Sequence, residues 1–504
     1  MNISDWIEKW AVATPDKIAL RFEGQEFSYP EFNEQIKTGA RMLLNELGVK
    51  PGDRITYLGQ NHPQLLVLVF ACARLGAIIA PLNWRLAPKE HLYMLKDSGA
   101  SILFVDEAYH DQCKGFENEL TDCRFIAVQG SGDTGWEELG GLMQTAEGDD
   151  AYPDIDLDAA LLLMYTSGTT GFPKGAVLKQ EAVQYNAFNS QLLHDMSSED
   201  IILTFLPLFH VGGLNNQTTA GFYAGATIIL HPAFNPEQVL ESIVREKSTL
   251  TIILPAHMAP LRAVPDWEQA DFSSLRSVLT GSTSIADDMT RYWHDRGIPL
   301  LQMYGATETC PIAIHHTMAN AMATEGTIGF PAMHCEIRIV DAQGKDCAVG
   351  EAGEILVRGP SVMSCYWNNE EATKNSLVDG WFYTSDIGSV DENGCYHFAD
   401  RKKEVIISGS ENIYPAEIEN VLLDHPDILE ASVVGRKHPR WGDVPVAVVS
   451  TGKDCSLEKE DILDWLVDKL GKYKQPHDFL FVEALPRNAM GKVVKDSVRD
   501  MVND

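Results

Sequence analysis

The chain has 504 residues, 45% of them hydrophobic and 22% charged, and carries a formal net charge of −32. That length exceeds one ordinary core and implies at least two domains. Acidity of this size argues against nucleic acid or an anionic membrane surface as a partner. From Arg401 onward 15 Lys and Arg stand against 19 Asp and Glu, so the C-terminal part is the least repulsive to an anionic substrate.

The longest strongly apolar run, Leu65–Ala73, is too short to span a bilayer. The opening MNISDWIEKW has no basic segment leading into an apolar one, the mark of a secretory signal. Nine cysteines, an odd number with no C-x-x-C pair, fit a reduced, cytoplasmic protein without structural zinc.

In chain order, RITYLG (Arg54–Gly59) reads as a strand and is followed by a helix from near His62. Then come strand AIIAPL (Ala77–Leu82), a helix through EHLYMLKDSG and strand SILFVD (Ser101–Asp106). ALLLMY (Ala160–Tyr165), IILTFLP (Ile201–Pro207) and ATIILH (Ala226–His231) are further strands, followed by a helix over Pro236–Lys247. TLTIILP (Thr249–Pro255) and RSVLT (Arg276–Thr280) complete the set. Such alternation predicts an α/β fold with parallel sheets covered by helices and ligands at the carboxyl ends of strands. After about Thr327 the texture changes to glycine-punctuated β-runs, CEIRIVDAQGK and EAGEILVRG, which predict antiparallel hairpins. Beyond Asp400, strand KEVIIS, helix PAEIENVLLD, strands EASVVGR and VPVAVVST and helix LEKEDILDWLVDKL predict a small α+β domain.

YTSGTTGFPKG (Tyr165–Gly175) hangs from the end of ALLLMY and is built for anions. Its hydroxyls and unhindered N–H groups, from Thr166, Ser167, Gly168, Thr169, Thr170 and Gly171, form an anion nest, and Lys174 adds a point charge. It is not a Walker A loop, because Pro173 precedes the lysine and Gly175 follows it.

Four further segments follow in order: LPLFHVGG (Leu206–Gly213), YGATET (Tyr304–Thr309), YTSDIG (Tyr383–Gly388) and DRKKEVIISGSENIYPAEIE (Asp400–Glu419). A fifth, PRNAMGKV (Pro486–Val493), lies near the end. Together with the loop they resemble the adenylate-forming superfamily of acyl-CoA synthetases, luciferases and nonribosomal-peptide adenylation domains. The chain is most like a bacterial acyl-CoA synthetase, and the likeness spans nearly all of it.

The resemblance implies a large N-terminal domain over 1–399, of doubly wound βα sheets with a small β-barrel-like part. A mobile C-terminal domain over 400–504 follows, turning on a hinge at Asp400. It also implies that a carboxylate attacks the α-phosphorus of MgATP to give acyl-AMP and pyrophosphate, and that the thiol of coenzyme A then displaces AMP. Carboxylate and triphosphate repel one another, so the site must neutralise charge and align the attack. The loop would hold the departing pyrophosphate, with Thr170 among the catalytic groups. Glu308 would hold Mg²⁺, assisted by Thr166. Gly281, Ser282, Thr283, Tyr304, Gly305, Ala306 and Thr307 would frame the nucleotide. Asp386 would accept from both ribose hydroxyls, with Arg401 beside it. Lys492, ordinarily read as a surface charge so near a terminus, would bridge the carboxylate and the α-phosphate.

On the thiol side stand Ser408, Gly409, Ser410 and Trp441, where Ser410 replaces the family's second glycine. Gly442, Arg436, Lys437 and Arg440 are weaker candidates there. For the acid, His210, Val211, Gly212, Leu214 and Asn215, with Gly305, Cys310, Pro311 and Ile312, would line the tunnel, and His210 would also be a moving wall. Their apolar character puts a medium- to long-chain fatty acid first and an aromatic or alicyclic acid second. Glycines 212 and 213 leave room for an aryl ring, and Leu214 stands where a gate tryptophan would be. An amino acid is not the expected substrate, because no Asp in an FDxS-type segment stands ready for an α-ammonium, and with no carrier domain after Lys492 coenzyme A is the expected acceptor. A luciferase-like oxygenase shares the motifs, whereas a non-catalytic relative would be expected to lose Glu308 or Lys492. The adjacent His315 and His316 cannot both face one metal from a strand. A homodimer is the family's implied assembly.

Overall fold

The structure is a computed structural model. It describes the chain except residues 1, 149–151, 167–172, 282–284, 286, 409–410, 439–441, 453–456, 468, 471, 473, 489–490 and 504. Two large sheets carry the N-terminal part. One has eight strands, whose inner members Ile78–Leu82, Arg54–Leu58, Ile102–Val105 and Arg124–Ala127 run parallel. The other has nine, parallel from Leu300–Gly305 through Ser277–Gly281, Leu250–Ile252, Ile201–Thr204 and Thr227–Leu230 to Ile18–Phe22. Strands such as Ile78–Leu82 and Thr227–Leu230 are buried at every position, as their unbroken apolar runs require when helices cover both faces.

The apolar run Leu65–Ala73 belongs to helix Pro63–Leu75, buried at every position but Gln64. A helix that is apolar all round belongs inside. Phe70 meets Phe32 and Phe222 edge-on there, and Gly76 closes the helix at φ 69°. Among the described residues no helix is long and apolar enough to cross a membrane. The helix from Pro236 stops at Val244 rather than running to Lys247, which takes the left-handed φ of 57°.

The later β-runs form a five-stranded antiparallel sheet that includes Gly353–Arg358, Trp381–Val390 and Tyr396–Arg401. The C-terminal domain has its own sheet, dominated by the hairpin Ile428–His438 and Gly442–Thr451. Its separate core, which includes Ile418, Leu422, Val433, Ala447 and Ile462, marks it as a second domain.

Asp400 lies at the join, 6% exposed, and its Oδ2 accepts from Ala416 N at 2.8 Å in the first turn of helix Pro415–Leu423. A carboxylate is favoured at that positive helix end. Two residues on, Lys402 reaches back to Glu354 Oε2 at 2.9 Å in the antiparallel sheet.

Candidate active site

Thr166 and Lys174 are register partners at the mouth of an antiparallel hairpin. Lys174 therefore opens an antiparallel strand rather than a helix. Ser167, Gly168, Thr169, Thr170 and Gly171 lie outside the described residues, as do Ser282 and Thr283.

Lys174 Nζ stands 5.5 Å from the ring centroid of Tyr366, whose hydroxyl donates to Glu308 Oε1 at 2.6 Å. Burial and the charge of Glu308 push the Tyr366 phenol up, so it stays protonated and donates. Tyr366 comes from the short strand Cys365–Tyr366, paired with Lys174–Lys179, and no sequence motif points to it. Among the described residues Tyr366 is the one side-chain partner of the Glu308 carboxylate. A carboxylate suits Mg²⁺, which keeps its waters and rides on phosphates rather than in a protein cage. The backbone around Glu308 is tightly made. Ala306 N donates to Thr309 Oγ1 at 2.9 Å, and that hydroxyl donates to Pro311 O at 2.6 Å. Gly305 must be glycine, since a Cβ there would lie 1.6 Å from Pro311 O.

Gly281 and Gly305 end neighbouring parallel strands, so the two nucleotide-side segments meet at one carboxyl edge. The Tyr304 hydroxyl donates to Asp386 Oδ2 at 2.8 Å, and Asp386 is 6% exposed. Asp386 thus already holds at least one protein donor. Asp386 and Arg401 are register partners on adjacent strands, although the Arg401 side chain lies outside the described residues.

Lys492 belongs to a turn in which Lys492 N donates to Asn488 Oδ1 at 3.0 Å and Gly491 takes φ 76°. The turn faces the large domain, for a Cβ on Gly491 would lie 3.5 Å from that of Ala256. The Lys492 charge is felt at His210, whose imidazole is lowered to about 4, first by burial and then by Lys492. His210 is therefore neutral at pH 7. Its Nδ1 accepts from Gly212 N at 2.9 Å, which puts the ring proton on Nε2.

The acid-side segments meet as expected. Asn215 Nδ2 donates to Cys310 Sγ at 3.3 Å, and Asn186 joins them through Asn215 O at 2.7 Å and Ile312 N at 3.0 Å. Val211, Leu214, Asn215, Cys310 and Ile312 are at most 1% exposed and turn into the core, whereas His210 and Gly212 are half-buried. Nothing in the sequence points to Asn186. His315 and His316 are structural, with His316 Nε2 3.0 Å from Thr327 Oγ1, and no metal-binding group of three stands among the described residues.

On the thiol side, the Ser408 backbone pairs with Glu411 and Gly442. Arg436 is bound to Asp478 and Lys437 to Asp443, which makes them poor anion hosts. Gly409, Ser410, Arg440 and Trp441 lie outside the described residues.

Comparison with known proteins agrees with this geometry. The AMP-binding enzyme family matches residues 7–367 and the AMP-binding enzyme C-terminal domain matches 417–492. An indoleacetate–CoA ligase of Aromatoleum aromaticum is 46% identical over 503 residues, covering 100% of this chain and 98% of that one. A feruloyl-CoA synthase of an Amycolatopsis species is 37% identical, with 99% and 98% covered. The o-succinylbenzoate CoA synthetase of Bacillus subtilis, solved with its acyl-adenylate intermediate, superposes with a TM-score of 0.87 at 34% identity, covering 98% of each chain. The same enzyme has been solved with ATP and a magnesium ion.

The chain belongs to the AMP-binding enzyme family. It is an AMP-forming acid–CoA ligase, working with ATP, Mg²⁺ and coenzyme A.

Proposed function

We propose that the acid is aromatic, and that the enzyme adenylates an aryl or arylalkyl carboxylate and passes it to coenzyme A. The observation that carries this is full-length likeness, at 46% and 37% identity, to ligases named for ring-bearing acids. It reverses the order drawn from sequence, where apolar lining put a fatty acid first. The geometry supports the reversal, because most of those apolar residues face the core.

In this reading Glu308 and Thr166 hold Mg²⁺, whose role when bound is to neutralise charge on the triphosphate. Residues 167–172 and Lys174 cradle the pyrophosphate, and Asp386 and Arg401 hold the ribose. Lys492 stabilises charge on the attacked phosphorus, acting as a fixed cation in a site closed by the small domain. His210, neutral and held through Nδ1, packs beside the acid without competing for the Lys492 charge. Asp400 is the hinge between a unit of 1–399 and one of 400–504, carrying Lys492 away before the thiol enters.

A pyrophosphate-release screen over indole-3-acetate, ferulate, benzoate, octanoate and palmitate tests the reading. Release should be strongest with ring acids; a preference for the alkyl acids would refute it.

A further inference from the structure

Beside Gly212 lies an amide with nothing to do. Asn216 is 6% exposed on the π-helical turn Leu214–Thr218, and its Oδ1 is buried with no donor among the described residues. Gln217 Oε1 next to it also lacks a donor among the described residues, but the nearby asparagines are not like this. Asn186 bonds Asn215 O and Ile312 N, Asn215 bonds Cys310 Sγ, and Asn189 Oδ1 accepts from His334 N at 3.2 Å. The backbone of Asn216 is anchored too, its carbonyl accepting from the Ser190 hydroxyl. Only the side-chain amide lacks a partner, and a buried acceptor without a donor is destabilising unless a ligand or water supplies one.

The amide sits at the acid side of the site. A Cβ on Gly212 would lie 2.9 Å from His210 Nδ1 and 3.9 Å from Asn216 Nδ2. At 2.9 Å such a Cβ would collide with the ring, so Gly212 lets His210 pack directly against its backbone, with the Asn216 amide at van der Waals distance. A half-turn of that amide would turn Oδ1 toward Gly212 and His210 without breaking a hydrogen bond, because among the described residues it makes none.

We propose that Asn216 is a specificity residue, its Oδ1 accepting a hydrogen bond from an N–H or O–H on the ring of the acid. The substrate class narrows to aromatic acids bearing a ring-edge donor, either a heteroaryl N–H or a phenolic hydroxyl. This rests on the aromatic-acid reading above.

The test compares indole-3-acetate with 1-benzothiophene-3-acetate, of matching shape but with sulfur in place of N–H. Each is assayed by kcat/KM for pyrophosphate release, in the unaltered enzyme and in Asn216→Leu. The unaltered enzyme should favour the indole acid by roughly tenfold to a hundredfold. Asn216→Leu should bring that ratio to near one, chiefly by losing the indole acid while keeping the benzothiophene acid. Equal use of both acids by the unaltered enzyme overturns the role of Asn216, needs no variant, and leaves the aromatic reading standing. A preference that survives in Asn216→Leu also overturns it. Pyrophosphate from neither acid overturns both readings.

Discussion

Tyr366→Phe isolates one hydroxyl. The ring stays, and with it the approach of Lys174 Nζ at 5.5 Å, while the 2.6 Å donation to Glu308 is deleted. That distance falls in the short range of a hydroxyl bound to an ionised carboxylate. Bonds to charged groups contribute about 1.5–3 kcal/mol. At about 1.4 kcal/mol per decade, pyrophosphate release should slow by roughly tenfold to a hundredfold. The loss should concentrate in acyl-AMP formation, with half-saturation by Mg²⁺ moving to higher concentration, because Glu308 is no longer aimed. Reaction of supplied acyl-AMP with coenzyme A should stay near that of the unaltered enzyme. The assay follows pyrophosphate under a magnesium titration, alongside thioester formation from synthetic adenylate. A folded Tyr366→Phe enzyme with unchanged pyrophosphate release at every magnesium concentration would refute the reasoning.

Lys492→Ala should abolish acyl-AMP formation and spare the thioester step, and equal loss in both half-reactions would contradict the role given to Lys492. Gly305→Ala forces a Cβ to 1.6 Å from Pro311 O, so backbone must move; a loss of at least about 2 kcal/mol is expected from denaturant midpoints. Acid stability gives a third check. Burial lowers His231, His257 and His316 from 6.5 to about 4. Between those values the unfolded chain holds more protons than the folded one, so stability should fall steadily as pH drops from about 6.5 to 4. A melting temperature flat across that window would contradict the burial of these rings.

On the nucleotide side, the candidate residues lie on short motifs, several of them at strand ends. Gly281 and Gly305 fall at one sheet edge, and Asp386 and Arg401 face each other in register, though neither pairing is visible in linear order. Tyr366 was not legible: it reaches Glu308 across 58 residues from a two-residue strand with no periodicity of its own. The acid half misled for a physical reason. The apolar character of Val211, Leu214 and Ile312 put a fatty acid first, yet apolarity does not distinguish a residue facing a ligand from one packed in the core, and these three belong to core clusters. That Lys174 opens an antiparallel strand rather than a helix appears only in its pairing with Thr166.

The most direct measurement is a competition in one vessel. Enzyme, ATP, Mg²⁺ and coenzyme A are given equal concentrations of indole-3-acetate and decanoate, and the thioesters are resolved by mass spectrometry. The account expects arylacetyl-CoA to dominate, with AMP released in equal amount. Decanoyl-CoA as the main product, or thioester formed with ADP in place of AMP, would contradict it.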